Sequence, residues 1–411
     1  MIKDKSDKLL DTTVLIIYVL YLFLDVFYHV VLQVIGGILN IFLMYIFTAY
    51  FVLLYGNKVK RGISFLPFFI FLVFFVIYFQ FFWNDSHIYV SLGFPFKTIV
   101  WNLVSFVPAS ISAVSINQKS SNKQLALLRK IFLILFIVIC SASISILKED
   151  PLASKKTATS SGNYIPFLID YSAVYGLAII FPILLLYAIK SKFKIISFVF
   201  LILVCFTLFM ASYMIALIAL GLGVISYFLL SIKNKWISYL CIAILLGIVV
   251  YFIYSNKIQE ILLNLAYVVN NDLLEQRLKA IAGYLDSGSV DGAAVRFSDY
   301  ALSLKQILKH PITGSIVWDN DVKLSGHSTN FDIIGGCGLI VFAFYFKYIL
   351  NILKENLKNR DNLQFMAIIS SFIAFMFVSS FNPIFSSVEI IFLFILAPKI
   401  FLRNNKKVVS K

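Results

Sequence analysis

What most constrains this chain is the recurrence of apolar runs close to 20 residues long, separated by short polar breaks. A run of that length, coiled as an α-helix, matches the roughly 30 Å hydrocarbon core of a bilayer. The helix also satisfies every backbone N–H and C=O where there is no water. Scanning gives twelve windows, near 12–32, 35–55, 63–83, 98–116, 131–147, 171–189, 195–211, 213–230, 237–254, 332–350, 363–380 and 384–402. The division at Ala211-Ser212-Tyr213 is the least marked, because 195–230 reads as one run barely long enough for two spans. Counts of eleven to thirteen therefore stay open. Composition agrees, with 61% hydrophobic and 13% charged residues and a mean hydropathy of +0.92, where soluble domains are about half apolar. The expected fold is an all-α polytopic membrane protein with about 12 transmembrane helices.

Charge sets the expected orientation, since cytoplasmic loops collect Lys and Arg. Most of the 35 basic residues fall into alternate connections: Lys3–Lys8, Lys58–Arg61, Lys119–Lys130, Lys190–Lys194, Lys233–Lys235, Lys347–Arg360 and Lys399–Lys411. Both termini are then expected in the cytoplasm. The net charge of +15 is a topology signal rather than a sign of a nucleic-acid partner. The first apolar run lacks a small-residue cleavage site and reads as a span, not a cleaved signal peptide. Cys140, Cys205, Cys241 and Cys337 all sit in apolar runs without metal-ligand spacing. They are expected to be packing residues, with no disulfide framework, metal or cofactor.

The connections on the other side are longer, at 84–97, 148–170 and above all 255–331. This divides the chain into a bundle over 1–254, an extracytoplasmic loop over 255–331, and a second bundle with a cytoplasmic tail over 332–411. The spacing of Ile258, Ile261, Leu262, Leu265 and Val268, and of Leu274, Leu278, Ile281 and Leu285, predicts two short amphipathic helices in the loop. Phe297, Tyr300, Leu304 and Leu308 predict a third, stopped by Pro311. Their apolar faces need a partner, either the outer leaflet or the top of the bundle. A lid on the membrane domain is expected. Thr329-Asn330-Phe331-Asp332 matches a capping box and marks where the tenth span begins. His327 then precedes a helix N-terminus, whose partial positive charge suits an anion and favours a neutral imidazole able to accept a proton.

Val295-Arg296-Phe297, Leu308-Lys309-His310-Pro311-Ile312-Thr313-Gly314 and Gly326-His327-Ser328-Thr329-Asn330 carry a family resemblance, continued by Ile334-Gly335-Gly336-Cys337-Gly338-Leu339-Ile340. This stretch of about 45 residues, 295–340, resembles the Wzy-type O-antigen and capsular polysaccharide polymerases and the related O-antigen ligases. Many spans, one large outer loop late in the chain and cytoplasmic ends agree with it in layout. At Ala211-Ser212-Tyr213, many members have a Ser-Arg pair at a short outer turn; here Tyr213 stands in place of the Arg, removing one phosphate contact.

The resemblance implies a GT-C-like glycosyltransferase of the bacterial inner membrane, with its active site facing the periplasm or cell exterior. It would move a growing glycan from undecaprenyl diphosphate onto a hydroxyl of the next lipid-linked repeat unit. A chain-length regulator and a flippase are its implied partners beyond the lipid-linked donor and acceptor and the bilayer. A diphosphate leaving group needs cationic hydrogen-bond donors, and planar Arg suits it. The attacking hydroxyl calls for a general base. Arg296 and His327 match the family positions for these roles. Arg277 is a second candidate phosphate contact.

Simpler roles stand beside these. Arg296 could pair with Asp299 or Asp291, His327 could cap a helix, and His310 reads as a turn residue. Asp25 and His29, one turn apart in the first span, either bond each other or line a sugar-binding cavity, since ionisable residues in spans face partners or water. Glu389 near the outer end of the last span, and Asp299 in the loop, are further candidates to bind sugar hydroxyls. Asp332 either does so or caps its helix, and Trp318 either stacks on sugar or anchors at the interface. A ligase to lipid A core shares the same Arg and His. A lipid-linked oligosaccharide transporter would instead place charges deep in several spans and lack the outer loop.

Overall fold

The structure is a computed structural model. It describes residues 2–23, 42–53, 65–82, 88–90, 97–150, 153, 165–211, 213–234, 236–238, 293–319 and 322–402, with isolated positions at 263, 264, 267, 275 and 279. The described chain is almost wholly helical: α1 (Ile2–Phe23), α2 (Phe42–Leu53), α3 (Leu66–Phe82), α4 (Lys97–Lys119), α5 (Asn122–Glu149), α6 (Tyr171–Lys190), α7 (Lys194–Ala211), α8 (Met214–Ser231), α9 (Ala293–Lys309), α10 (Thr329–Leu357), α11 (Asn362–Phe381) and α12 (Val388–Phe401). Two three-residue strands, β1 (Ile88–Val90) and β2 (Val322–Leu324), complete it with short 3-10 turns at Ser315–Val317 and Ile384–Ser386. Among the described residues, six helices are long and apolar enough to cross a membrane: α5, α6, α7, α8, α10 and α11. An α-helical membrane protein follows. The weakly marked division at Ala211-Ser212-Tyr213 is a real break, since α7 ends at Ala211 and α8 starts at Met214. The window at 237–254 and the helices expected over 258–285 lie outside the described residues, apart from isolated positions.

The helices begin where side chains can satisfy their first N–H groups. Ser121 and Gln124 form a reciprocal capping box on α5, Asp170 caps α6, and Asp361 caps α11. The centre of the bundle is α6, buried almost all round against α7, α8, α11 and α12. Close approach uses small residues and flat rings, as it must where lipid gives no hydrophobic push. Gly223 of α8 lies against Pro182 and Ala374. Phe375 stacks on Phe394 at 4.2 Å, and Phe68 on Tyr348 at 4.3 Å. Cys140 and Cys337 are buried packing residues.

Contacts sort the connections into two ends. At one, Lys190 pairs with Asp361 at 2.7 Å, Asn117 donates to Asn356, and the Arg360 guanidinium caps the C-terminus of α12 through the carbonyls of Pro398 and Leu402. These are the basic connections. At the other end, β1 and β2 pair in parallel, Ile88 with Val322 and Val90 with Leu324, which joins two of the long connections, 84–97 and 255–331. Strands this short leave no alternating pattern to read, and none was expected from the sequence.

Helix α9 forms where the third amphipathic stretch was expected, but its covered face is displaced from the apolar one. Tyr300 is buried, yet Leu304 and Leu308 point outward while Asp299, Ser303 and Gln306 are covered. The reason is the partner, because α9 packs on β2 and on the polar start of α10, where Ser325 and Asp332 offer hydrogen bonds rather than apolar surface.

Helix α10 is broken at Gly338, which has φ +84. The break leaves the N–H groups of Leu339 and Ile340 without acceptors in their own helix, and the carbonyls of Pro311 and Ile312 accept them at 2.9 and 3.3 Å. Thus the Pro311–Gly314 turn plugs the kink.

Candidate functional site

The site forms where α9 meets the entrance to α10. Ser328, not Thr329, is the cap: its hydroxyl accepts the Phe331 N–H at 2.9 Å. The expected Thr329–Asp332 box does not form as such: the cap lies one residue earlier, and Asp332 accepts the Ser328 N–H at 3.4 Å from the fourth helical position. The rest of that carboxylate orders the preceding turn. Its Oδ1 accepts the Ser303 hydroxyl at 2.5 Å, the Ser325 hydroxyl at 2.7 Å and the Ser325 N–H at 3.1 Å. All three residues are buried. A buried carboxylate is tolerable only when its lone pairs are so occupied. Gly326, at φ +67, turns the chain, and the His327 N–H then donates to the Ser325 hydroxyl at 3.1 Å.

That turn delivers the His327 ring to Asp299. His327 Nε2 lies 3.6 Å from Asp299 Oδ2, with side chains 17% and 8% exposed. This is ion-pair range, longer than a hydrogen bond. Asp299 Oδ2 accepts no hydrogen bond among the described residues. Asp299 stands four residues before Ser303, one turn earlier on α9, so the helix presents Asp299 to His327 and Ser303 to Asp332 from one face.

The next two residues staple helices together. The Thr329 hydroxyl accepts the Ile384 N–H at 2.8 Å, and its own N–H donates to Asn382 O. Asn330 Nδ2 donates to Ser379 and Ser380 of α11 at 2.7 and 3.0 Å. Tyr171 donates to Asn382 Oδ1 at 2.5 Å, and its ring meets Tyr213 edge-on at 5.5 Å. Tyr300 of α9 donates to Phe381 O at 2.8 Å. Asn330→Ala strips two hydroxyls of their donor in a buried setting. It should cost about 1–3 kcal/mol, read as a lower melting temperature in detergent.

Of the sequence-derived candidates, His327 and Asp299 are brought together. Arg296 lies on α9 three residues before Asp299; its side chain lies outside the described residues, as do Arg277, Asp25 and His29 entirely. Glu389 opens α12 at the same end of the bundle, its backbone carbonyl beside Gly176 of α6. His310 ends α9, stacked on Trp318 and 3.6 Å from Asp319. The length of the helix, roughly 16 Å, separates it from Asp299. Sequence reasoning missed Ser303 and Ser325. Their only local sign was a serine one helical turn after Asp299 and another just before His327. Among the described residues, no group of three or more His, Cys, Asp or Glu is arranged to hold a metal ion.

The arrangement sets an imidazole nitrogen within ion-pair range of a buried carboxylate, which can stabilise a proton on that ring, and the Ser325–Asp332 network holds the backbone of the His327 turn. No family model matches the chain, and no curated protein matches it.

Proposed function

We propose that the chain is a membrane glycosyltransferase, a polymerase that extends polysaccharide on undecaprenyl diphosphate at the outer face of the bacterial cytoplasmic membrane. The observation that carries this reading is the His327–Asp299 pair, at the end of the bundle opposite the basic connections. In the proposed step, His327 removes the proton from the acceptor sugar hydroxyl. That oxygen bonds to the anomeric carbon of the donor glycan as its bond to the diphosphate oxygen breaks. Undecaprenyl diphosphate leaves with the electron pair, with Arg296 as its cationic partner and Arg277 as a second. Asp299 holds the imidazolium rather than a sugar hydroxyl. Glu389 and Asp25 are the remaining candidates for sugar contacts, and the fold is of GT-C type with about twelve spans.

The test uses lipid-linked repeat units extracted from cells lacking the chain, supplied to the purified protein in vesicles. A ladder of longer glycans is expected, with one undecaprenyl diphosphate released for each linkage. Repeat units that stay single, with no diphosphate released, would overturn the proposal.

A further inference from the structure

The outward-facing leucines of α9 and the plugged break in α10 have one explanation in common. We infer that the chain from Asp299 to Asp319 is re-entrant: α9 descends beside α10 into the outer leaflet, turns at Pro311–Gly314, and climbs back through Ser315–Asp319. In the bilayer, Leu304, Leu308, Ile312 and Trp318 lie against acyl chains.

The register of α9 on α10 shows the descent. Asp299 is level with His327, Ser303 bonds Asp332, Gln306 lies beside Gly335, and the Pro311 carbonyl bonds the Leu339 N–H. Both chains therefore advance together, by roughly 15 Å along α10. Depth follows from α10 itself, which has 29 residues and carries exposed Lys347 and Lys354 in its second half. Counting about 20 residues back from Asn351 reaches the neighbourhood of Phe331 as the outer hydrocarbon boundary. Gly338 and the turn that plugs it are then about 10 Å below that boundary.

Three features fit lipid rather than water. Leu304, Leu308, Ile312 and Trp318 are 44, 84, 60 and 62% exposed, and they continue the outward surface of α10 at Leu339 and Ile340, which are 46 and 48% exposed in mid-span. Several backbone groups of the turn find partners within the protein, as non-helical chain at membrane depth needs. Pro311 has no N–H, the Pro311 and Ile312 carbonyls go to α10, and the Gly314 N–H donates to His310 O at 3.0 Å. Most polar side chains nearby are engaged or long enough to reach the headgroups, while Gln306 Oε1 and His310 Nε2 are buried without a hydrogen bond among the described residues. Trp318 Nε1 donates to Thr313 at 2.7 Å, Lys309 pairs with Asp319 at 2.6 Å, and the Lys305 stem can snorkel. Gly336 lets Ile316 pack closely on the returning side.

The test places a nitroxide at Leu308→Cys or Ile312→Cys in protein whose native cysteines are replaced, reconstituted in phosphatidylethanolamine–phosphatidylglycerol vesicles. Both labels should collide several-fold more with oxygen than with an aqueous nickel chelate, the reverse of a label at Asn359→Cys in the α10–α11 turn. Preference for nickel at 308 and 312, or shielding from both reagents by a second copy or another protein, would overturn the inference. If the cysteine-free protein fails to fold, a variant with Phe at Trp83, Trp101 and Trp236 reports through Trp318. Its fluorescence should be quenched by lipids brominated near the top of the acyl chain. Undiminished emission with those lipids would equally overturn it.

Discussion

Gly338→Ala is expected to leave little folded protein in the membrane. At φ +84 and ψ 170, a region essentially confined to glycine, the backbone of an L-residue alone costs about 1–3 kcal/mol. The added Cβ would lie 2.2 Å from the Ile312 carbonyl oxygen and 2.6 Å from the Gly314 nitrogen, both backbone atoms that cannot rotate away. Relief requires the turn to withdraw, breaking the bonds from Leu339 to Pro311 and from Ile340 to Ile312, each worth about 1 kcal/mol. The total, roughly 3–5 kcal/mol, is a large part of the 5–15 kcal/mol that typically separates folded from unfolded protein. Gly314→Ala should do the same from the other side, since its Cβ would stand 2.2 Å from Gly336 O at φ +77. Gly221→Ala in α8 is the control, because nothing lies within 4 Å of its added carbon. Melting temperatures of detergent-extracted protein decide the matter. A Gly338→Ala protein as stable as Gly221→Ala would refute the plugged break.

The second large effect is catalytic. His327→Ala should lower transfer of lipid-linked glycan by about 10²–10⁴-fold, the usual worth of a general base. Asp299→Asn should lower it as well, because the imidazolium formed on His327 would lose the carboxylate 3.6 Å away. Neither change should much alter the melting temperature. His327 is partly open, and the backbone bond that shapes its turn runs to Ser325 rather than through the ring. Asp332→Asn is different, because that carboxylate receives four hydrogen bonds from Ser303, Ser325 and Ser328. There, loss of activity would come with loss of stability. Full transfer by His327→Ala protein at normal abundance would remove the proposed base.

How much of this was legible in the sequence differs from residue to residue. The helix break at Pro311 and the glycines at 335–338 were visible as separate signals. Their contact was not, since residues 311–314 meet residues 336–340 only after α9 and α10 have packed. His327 was legible as a residue poised before a helix N-terminus. Its partner was read instead as a companion for Arg296 or a sugar contact, because sequence adjacency on α9 could not reveal a meeting with His327, 28 residues later. The capping signal was found but misplaced by one residue, since Ser328 and Thr329 are both good caps. Only the demand for Thr329 at the Asn382–Ile384 turn assigns the role to Ser328.

The sequence by itself determined what depends on solvent and local geometry: helices of membrane length, their polarity of basic and non-basic ends, and the segment where the apolar pattern fails. These are properties each residue expresses against water or lipid without reference to distant neighbours. Which face of α9 turns inward, which turn fills the gap at Gly338, and which carboxylate faces His327 were decided by the tertiary structure alone. Each is a pairing between segments far apart in the chain, and its energy exists only once both partners are in place.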